Sequence, residues 1–159
     1  MRKYMLVLFS YCGLGKINKH LKSKLQQGDK LFVRAVMLEE VPKLFDHLIS
    51  DVGFLGEKVV SDVEDSVVDI YQDNAKDYLA ELSELSAVQG FTIDEKLIEH
   101  HDLNNLKDEI KKSELDGIII NFSHNEFVSN QVKEKEIKNW LDKIKLAKDI
   151  FYDGRLENK

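Results

Sequence analysis

Five short apolar or alternating runs are spaced along the chain, and each is typical of a β-strand. The run at residues 117–122 holds three consecutive isoleucines, which indicates a strand that is buried on both faces. The stretches between the runs place apolar residues three or four positions apart, as amphipathic helices do. The predicted strands are residues 4–9, 30–38, 91–99, 117–122 and 149–152.

The stretches between these runs predict the helices. Apolar residues at a spacing of four mark a helix over residues 16–27. Pro42 suits the first turn of a short helix, where a backbone N–H is not needed. A long helix over residues 57–88 carries acidic side chains along one face, a pattern typical of a surface exposed to water. Two further helices are predicted at residues 103–112 and 132–144.

The order of the elements predicts the fold class. The first 38 residues read as strand, helix, strand, which favours a right-handed parallel crossover. Strands and helices continue to alternate, so we predict an α/β fold. It is a doubly wound, five-stranded parallel sheet, Rossmann-like, with helices on both faces. The length of 159 residues fits one domain, which we assign to residues 1–154, followed by a polar tail at residues 155–159.

Composition and charge narrow the classes of function. The formal net charge of −6 opposes general binding to nucleic acid or to anionic membranes. The single cysteine, Cys12, excludes an intramolecular disulfide and suits the reducing cytoplasm. The apolar run at residues 5–9 is too short for a signal peptide, and no stretch approaches the roughly 20 apolar residues of a membrane span. We therefore expect a cytoplasmic protein.

The first strand-to-helix turn is one candidate site, because ligands of parallel α/β sheets bind where the strands end. Ser10 stands at the end of the first strand, and Gly13 and Gly15 follow in a glycine-rich turn. Such a turn can hold a phosphate, but Asn18 replaces the third glycine of the dinucleotide motif, and a tight turn also explains both glycines. Cys12 lies in the same turn, near the start of a helix, where a thiol can become reactive.

The turn after the fourth strand is the second candidate. Ser123, His124 and Asn125 open toward the next helix, where a serine can bind an anion or cap the helix. A nucleophilic Cys12 would need a base, which His124 can supply only if both turns lie on the same sheet edge. The triplet at residues 100–102, His-His-Asp, invites a metal interpretation. Adjacent residues at a strand end point in different directions, so we predict a helix cap there and no metal site.

The last third of the chain resembles the universal stress protein family, and the resemblance extends over residues 4–152. Nucleotide-binding members of that family carry a Gly-Ser-His/Arg-Gly turn, nine residues, Gly-Ser/Thr, and a helix that leads into the fifth strand. Residues 122–125, 126–134 and 135–136 match this spacing without a gap, and Ser123 and His124 retain two of its letters. The resemblance implies a nucleotide site at the carboxyl edge of the sheet.

The glycines of that motif are not retained. Phe122, Asn125 and Lys135 stand where the family has glycine, and Glu136 stands where it has the phosphate-contacting Ser/Thr. Ser10 stands where the family has an aspartate beside the nucleotide. Glycine lets backbone N–H groups approach phosphate oxygens closely, so we expect side chains to crowd this cradle and ATP binding to be lost.

We therefore expect a non-enzymatic, universal-stress-protein-like scaffold that needs no cofactor. The family resemblance implies a homodimer, for which the edge of the strand at residues 149–152 is a candidate. The alternative is a degenerate adenine-nucleotide sensor that binds ATP or AMP, and a third hypothesis is an enzyme that uses Cys12 or His124. The residues that would contact the nucleotide are Ser10, Gly13, Gly15, Ser123, His124 and Asn125.

Overall fold

The structure of the protein is a computed structural model that describes residues 1–37, 57–99 and 103–157. For residues 57–72, 126, 127 and 131 it describes the backbone alone. The predicted helix at Pro42 and the triplet at residues 100–102 lie outside the described residues. None of the described helices combines the length and the apolar composition that crossing a membrane requires.

The described strands form one six-stranded sheet in the order β3-β2-β1-β4-β5-β6. The first five strands pair in parallel, and β6 runs antiparallel to β5. The fold is therefore α/β with a mostly parallel sheet, as predicted, but the predicted count of five strands is wrong. The strands are β1 Lys3–Leu8, β2 Lys30–Met37, β3 Thr92–Glu99, β4 Gly117–Phe122, β5 Ala147–Tyr152 and β6 Arg155–Leu156.

The described residues form five helices. The last predicted helix, residues 132–144, is Glu134–Asp142 in the structure, and a helix that was not predicted, Glu126–Gln131, precedes it. Lys133 lies between the two in a left-handed conformation with φ of 53°. The helices are α1 Leu14–Lys24, α2 Glu57–Gln89, α3 Leu103–Lys112, α4 Glu126–Gln131 and α5 Glu134–Asp142.

Helices cover both faces of the sheet, and each face has its own apolar core. Alternate residues of a strand point to opposite faces, so in β1 Leu6 joins one core and Val7 the other. The first core packs under α1 and α2 and includes Leu21 and Leu82. The second packs under α3 and α5. These contacts confirm the predicted doubly wound arrangement.

A tight turn at Asp153 and Gly154 joins β5 to β6. Both residues have positive φ angles, 46° and 83°, as the two-residue turns of β-hairpins require. Tyr152 then pairs with Arg155, and the amide of Glu157 donates to the carbonyl of Ile150 at 2.7 Å. The edge of β5 that was predicted to be exposed is thus paired within the chain, and part of the predicted polar tail is a strand.

Arg34 fixes α3 to the sheet. It lies in the middle of β2 with only 4% of its side chain exposed. Its Nε donates to both carboxylate oxygens of Glu109 on α3, at 2.9 and 3.1 Å, and its Nη1 donates to the carbonyl of Asp94 at 2.8 Å. The Asp94 carboxylate lies at 3.3 Å and is 46% exposed. Glu109 is therefore the main partner of this buried charge.

Replacing Glu109 by Gln should destabilise the protein, because the Arg34 guanidinium would remain buried without a full counter-charge. We expect a loss of about 2–3 kcal/mol in the free energy of unfolding, measured by urea denaturation. The control is Asp94→Asn, whose carboxylate is half exposed, and for which we expect a loss below about 1 kcal/mol. Equal losses for the two variants would contradict this assignment.

Candidate functional site

The sheet order brings the two predicted turns together at one edge. Strands β1 and β4 are neighbours, and Leu8 is paired with Asn121. The amides of Phe9 and Ser10 both donate to the carbonyl of Asn121, at 2.9 and 3.1 Å. The end of β1 therefore lies directly beside the end of β4, where Ser123 and the following turn begin.

Asn121 joins the turn after β1 to the hairpin turn at this edge. Its side chain is fully buried within β4, among isoleucines. Its Nδ2 donates to the carbonyls of Ser10 and Cys12, at 3.0 and 3.2 Å. Its Oδ1 accepts the amide of Gly154 at 2.9 Å. A buried amide is tolerated only when its donors and acceptors are paired, and here both ends of the side chain are.

The carboxylate of Asp153 occupies the space between the two turns. It accepts the hydroxyl of Ser10 at 2.5 Å and the backbone N–H of His124 at 3.1 Å. The Ser10 oxygen in turn accepts the N–H of Cys12 at 3.1 Å. Backbone N–H groups at strand-to-helix turns are the groups that bind phosphates in other α/β proteins. In this chain they bind oxygen atoms of the chain itself.

The backbones at Gly13 and Gly154 are in direct contact. A Cβ atom on Gly154 would lie 2.3 Å from the carbonyl oxygen of Gly13, and one on Gly13 would lie 2.1 Å from the carbonyl oxygen of Asp153. Both glycines also have positive φ angles. Gly15, in contrast, has open space where a side chain would be. The close approach of the chain's own hairpin thus explains Gly13, and of the two glycines in this turn only Gly15 faces free space.

The residues of the second turn make local contacts. The Ser123 hydroxyl accepts the N–H of Asn125 at 3.1 Å, so it stabilises the turn before α4. The ring of His124 stacks on Tyr152 at 5.2 Å between ring centroids. No hydrogen bond joins His124 to Cys12 in the described part of the chain. The arrangement therefore lacks the contact between a thiol and a base that nucleophilic catalysis needs.

A polar network closes the far side of this edge. The Tyr152 hydroxyl donates to Glu134 at 2.6 Å and accepts from Lys138 at 2.8 Å, and Lys138 also pairs with Glu157 at 2.8 Å. Ser129 donates to Glu134 as well. Burial and the neighbouring Glu134 raise the pKa of Tyr152. Burial lowers the pKa of Lys138, but its bonds to Glu157 and Tyr152 outweigh that effect and raise it. Neither group is therefore poised to exchange a proton near neutral pH.

Three of the side chains predicted to oppose a nucleotide, those of Phe122, Lys135 and Glu136, do not line the cradle. The Phe122 ring is buried and stacks on Phe9 at 5.2 Å, while Lys135 and Glu136 are exposed in the first turn of α5. The space is taken by the turn at residues 153–154, which the sequence reasoning missed. The Asp-Gly dipeptide after an apolar run is a strong hairpin signal and could have revealed it.

No group of three or more metal-binding side chains is gathered anywhere in the described residues. The predicted His-His-Asp triplet at residues 100–102 is outside that part of the chain.

Comparison with known proteins supports the fold. No protein-family model matches the sequence, and no curated protein matches it. Among solved structures, hypothetical protein MJ0577 is similar with a TM-score of 0.54 and 16% identity, over 96% of each chain. Hypothetical protein PH0823 has a TM-score of 0.48 and 12% identity, over 99% of this chain and 98% of its own. The similarity to MJ0577 shows a shared fold.

Replacing Gly154 by Ala should destabilise the protein strongly. The new Cβ would clash with the Gly13 backbone, and a non-glycine residue would have to adopt a φ of 83°. We expect a loss of about 3 kcal/mol in the free energy of unfolding, measured by urea denaturation. Gly15→Ala is the matched control, since a side chain there meets nothing and alanine favours a helix, so we expect no loss. Similar stabilities of the two variants would disprove the contact.

Proposed function

We propose that this protein is a universal-stress-protein-like regulatory scaffold that acts in the cytoplasm as a homodimer. It carries out no catalysis, binds no ATP and works by association with other proteins, in a stress response or a related regulatory process. The occupied carboxyl edge of the sheet carries the part of this proposal that concerns ATP. The dimer and the stress role rest on the resemblance of the sequence to the family.

The observation behind the proposed loss of ATP binding is the position of the hairpin turn. The Asp153 carboxylate accepts hydrogen bonds from the Ser10 hydroxyl and the His124 N–H, and Gly154 packs on Gly13. A phosphate in the same place would have to displace both residues. The protein would then lose the hydrogen bond from the Gly154 amide to Asn121. The phosphate would also meet a carboxylate of its own sign. Each of these effects opposes binding of a nucleotide.

A nucleotide sensor is the second candidate function. The two turns meet at the sheet edge, and their donors, the Ser10 hydroxyl and the His124 N–H, already bind a carboxylate. These groups are therefore oriented to donate hydrogen bonds to an anion. For ATP or AMP to bind there, the hairpin would first have to move away from this edge. The contacts of the nucleotide would then have to offset the contacts that the hairpin loses. The observed pairing of β6 with β5 makes the scaffold the better supported proposal.

The proposal predicts that neither ATP nor AMP, with Mg²⁺ present, stabilises the protein against thermal unfolding. A ligand that binds only the folded state adds RT ln(1 + [L]/Kd) to the free energy of unfolding, about 2.7 kcal/mol at a hundredfold excess over Kd. We therefore expect an unchanged melting temperature across a titration into the millimolar range. A saturable increase would refute the scaffold proposal in favour of the sensor.

The variant Asp153→Gly separates two possible causes for a failure to bind ATP, which are the charge of Asp153 and the packing of Gly154 on Gly13. Glycine keeps the positive φ of the turn but removes the carboxylate. We expect this variant to be less stable by about 1–2 kcal/mol, because Ser10 and the His124 N–H lose their acceptor. We expect it to remain unable to bind ATP, because Gly154 still packs on Gly13. Binding by this variant alone would mean that the Asp153 charge is the only barrier.

A further inference from the structure

The proposed homodimer needs a surface other than the edge of β5. Phe151 and Tyr152 already pair with β6, so a second chain cannot add there without displacing it. The other edge of the sheet is β3, where Asp94, Glu95 and Lys96 are consecutive exposed charges. Charged side chains on an edge strand discourage pairing with another strand. Neither the paired end of β5 nor the charged edge of β3 thus favours self-association.

The face formed by α1 and α2 carries two stripes of opposite charge. The outer side of α1 is basic, and this helix contains no acidic residue. The described side chains of α2 form an acidic stripe at its C-terminal half. The basic stripe consists of the exposed residues Lys16, Lys19 and Lys22, and the acidic stripe of the exposed residues Asp73, Asp77, Glu81 and Glu84.

The two helices lie side by side on the same face of the sheet. Asn18 of α1 donates to Glu81 of α2 at 2.9 Å, and the Tyr78 hydroxyl donates to Asn18 at 2.7 Å. Despite this proximity, none of the three lysines forms an ion pair with a described side chain, and neither do Asp73, Asp77 and Glu84. Both stripes therefore keep charges that a partner can pair.

We propose that a second copy of this chain binds through this face, with the basic stripe of each chain against the acidic stripe of the other. Both helices lead into strands of one parallel sheet, so they run in the same direction. A two-fold axis parallel to them would place each α1 over the partner's α2 and satisfy both stripes at once. The inference rests on the proposed function, because it names the surface of the proposed homodimer. Since the contact is polar, we expect weak, salt-sensitive association.

Charge reversal tests this surface. The first variant carries Lys16→Glu and Lys19→Glu, and the second carries Asp77→Lys and Glu84→Lys. We expect the wild type to dimerise in sedimentation velocity runs between about 10 and 300 µM, the range of weak interfaces. Each variant alone should associate at least about tenfold more weakly, because like charges would face each other. An equimolar mixture of the two variants should form a heterodimer.

Two control proteins remove the effect of net charge. A chain with all four substitutions keeps the wild-type net charge of −6, since the reversals cancel, and should dimerise again. A chain with Lys143→Glu and Lys145→Glu, two exposed lysines beside α5, gains the same negative charge as the first variant. It should dimerise like the wild type, apart from a modest effect of added repulsion. Circular dichroism checks that each variant is folded.

The outcomes separate the surface from the dimer itself. Dimerisation of both reversal variants at wild-type strength would overturn the proposed surface and leave the homodimer intact. A monomeric wild type across the whole range would overturn both. Loss of association in the control at residues 143 and 145, equal to the loss in the first variant, would show that net charge alone is responsible and would also overturn the surface.

Discussion

The contact between the backbones at Gly13 and Gly154 determines how the carboxyl edge of the sheet is built. Two main-chain segments approach so closely that neither position has room for a Cβ atom. The contact packs the hairpin against the first turn. It thereby positions the Asp153 carboxylate within hydrogen-bond distance of the Ser10 hydroxyl and the N–H of His124. Without it, the buried Ser10 hydroxyl would need another partner, because a buried polar group is costly when unpaired, and the exposed N–H of His124 would face water.

Asn121 explains how this contact is compatible with a buried sheet. An amide in the middle of an apolar strand is costly unless it is paired. Here it bonds the carbonyls of Ser10 and Cys12 and the amide of Gly154, so the first turn and the hairpin share one side chain. These two segments depend on one another, since moving either of them leaves part of the amide unsatisfied. This dependence makes the edge a single structural unit.

The amino-acid sequence predicted the sheet well because its signals there are local. A buried parallel strand is an apolar run, and the runs at residues 4–9 and 117–122 lie within the two cores. Strand β6 has only two residues, Arg155 and Leu156, and therefore no periodicity, so the Asp-Gly turn before it was its one signal in the sequence. The break at Lys133 between α4 and α5 escaped for a related reason, since a left-handed lysine has no characteristic pattern in the sequence.

The candidate site was less predictable because its main occupant is distant in sequence. Ser10 and Asp153 are 143 positions apart, and only the folded sheet brings them together. From the missing glycines we expected an empty cradle, in which the side chains alone determine whether a nucleotide can bind. A turn whose N–H already bonds an internal carboxylate has no need of glycine to admit a phosphate. The hairpin of the chain itself closes this edge. Asn125 and Lys135 can therefore replace glycine there, because no phosphate has to approach the backbone at these positions.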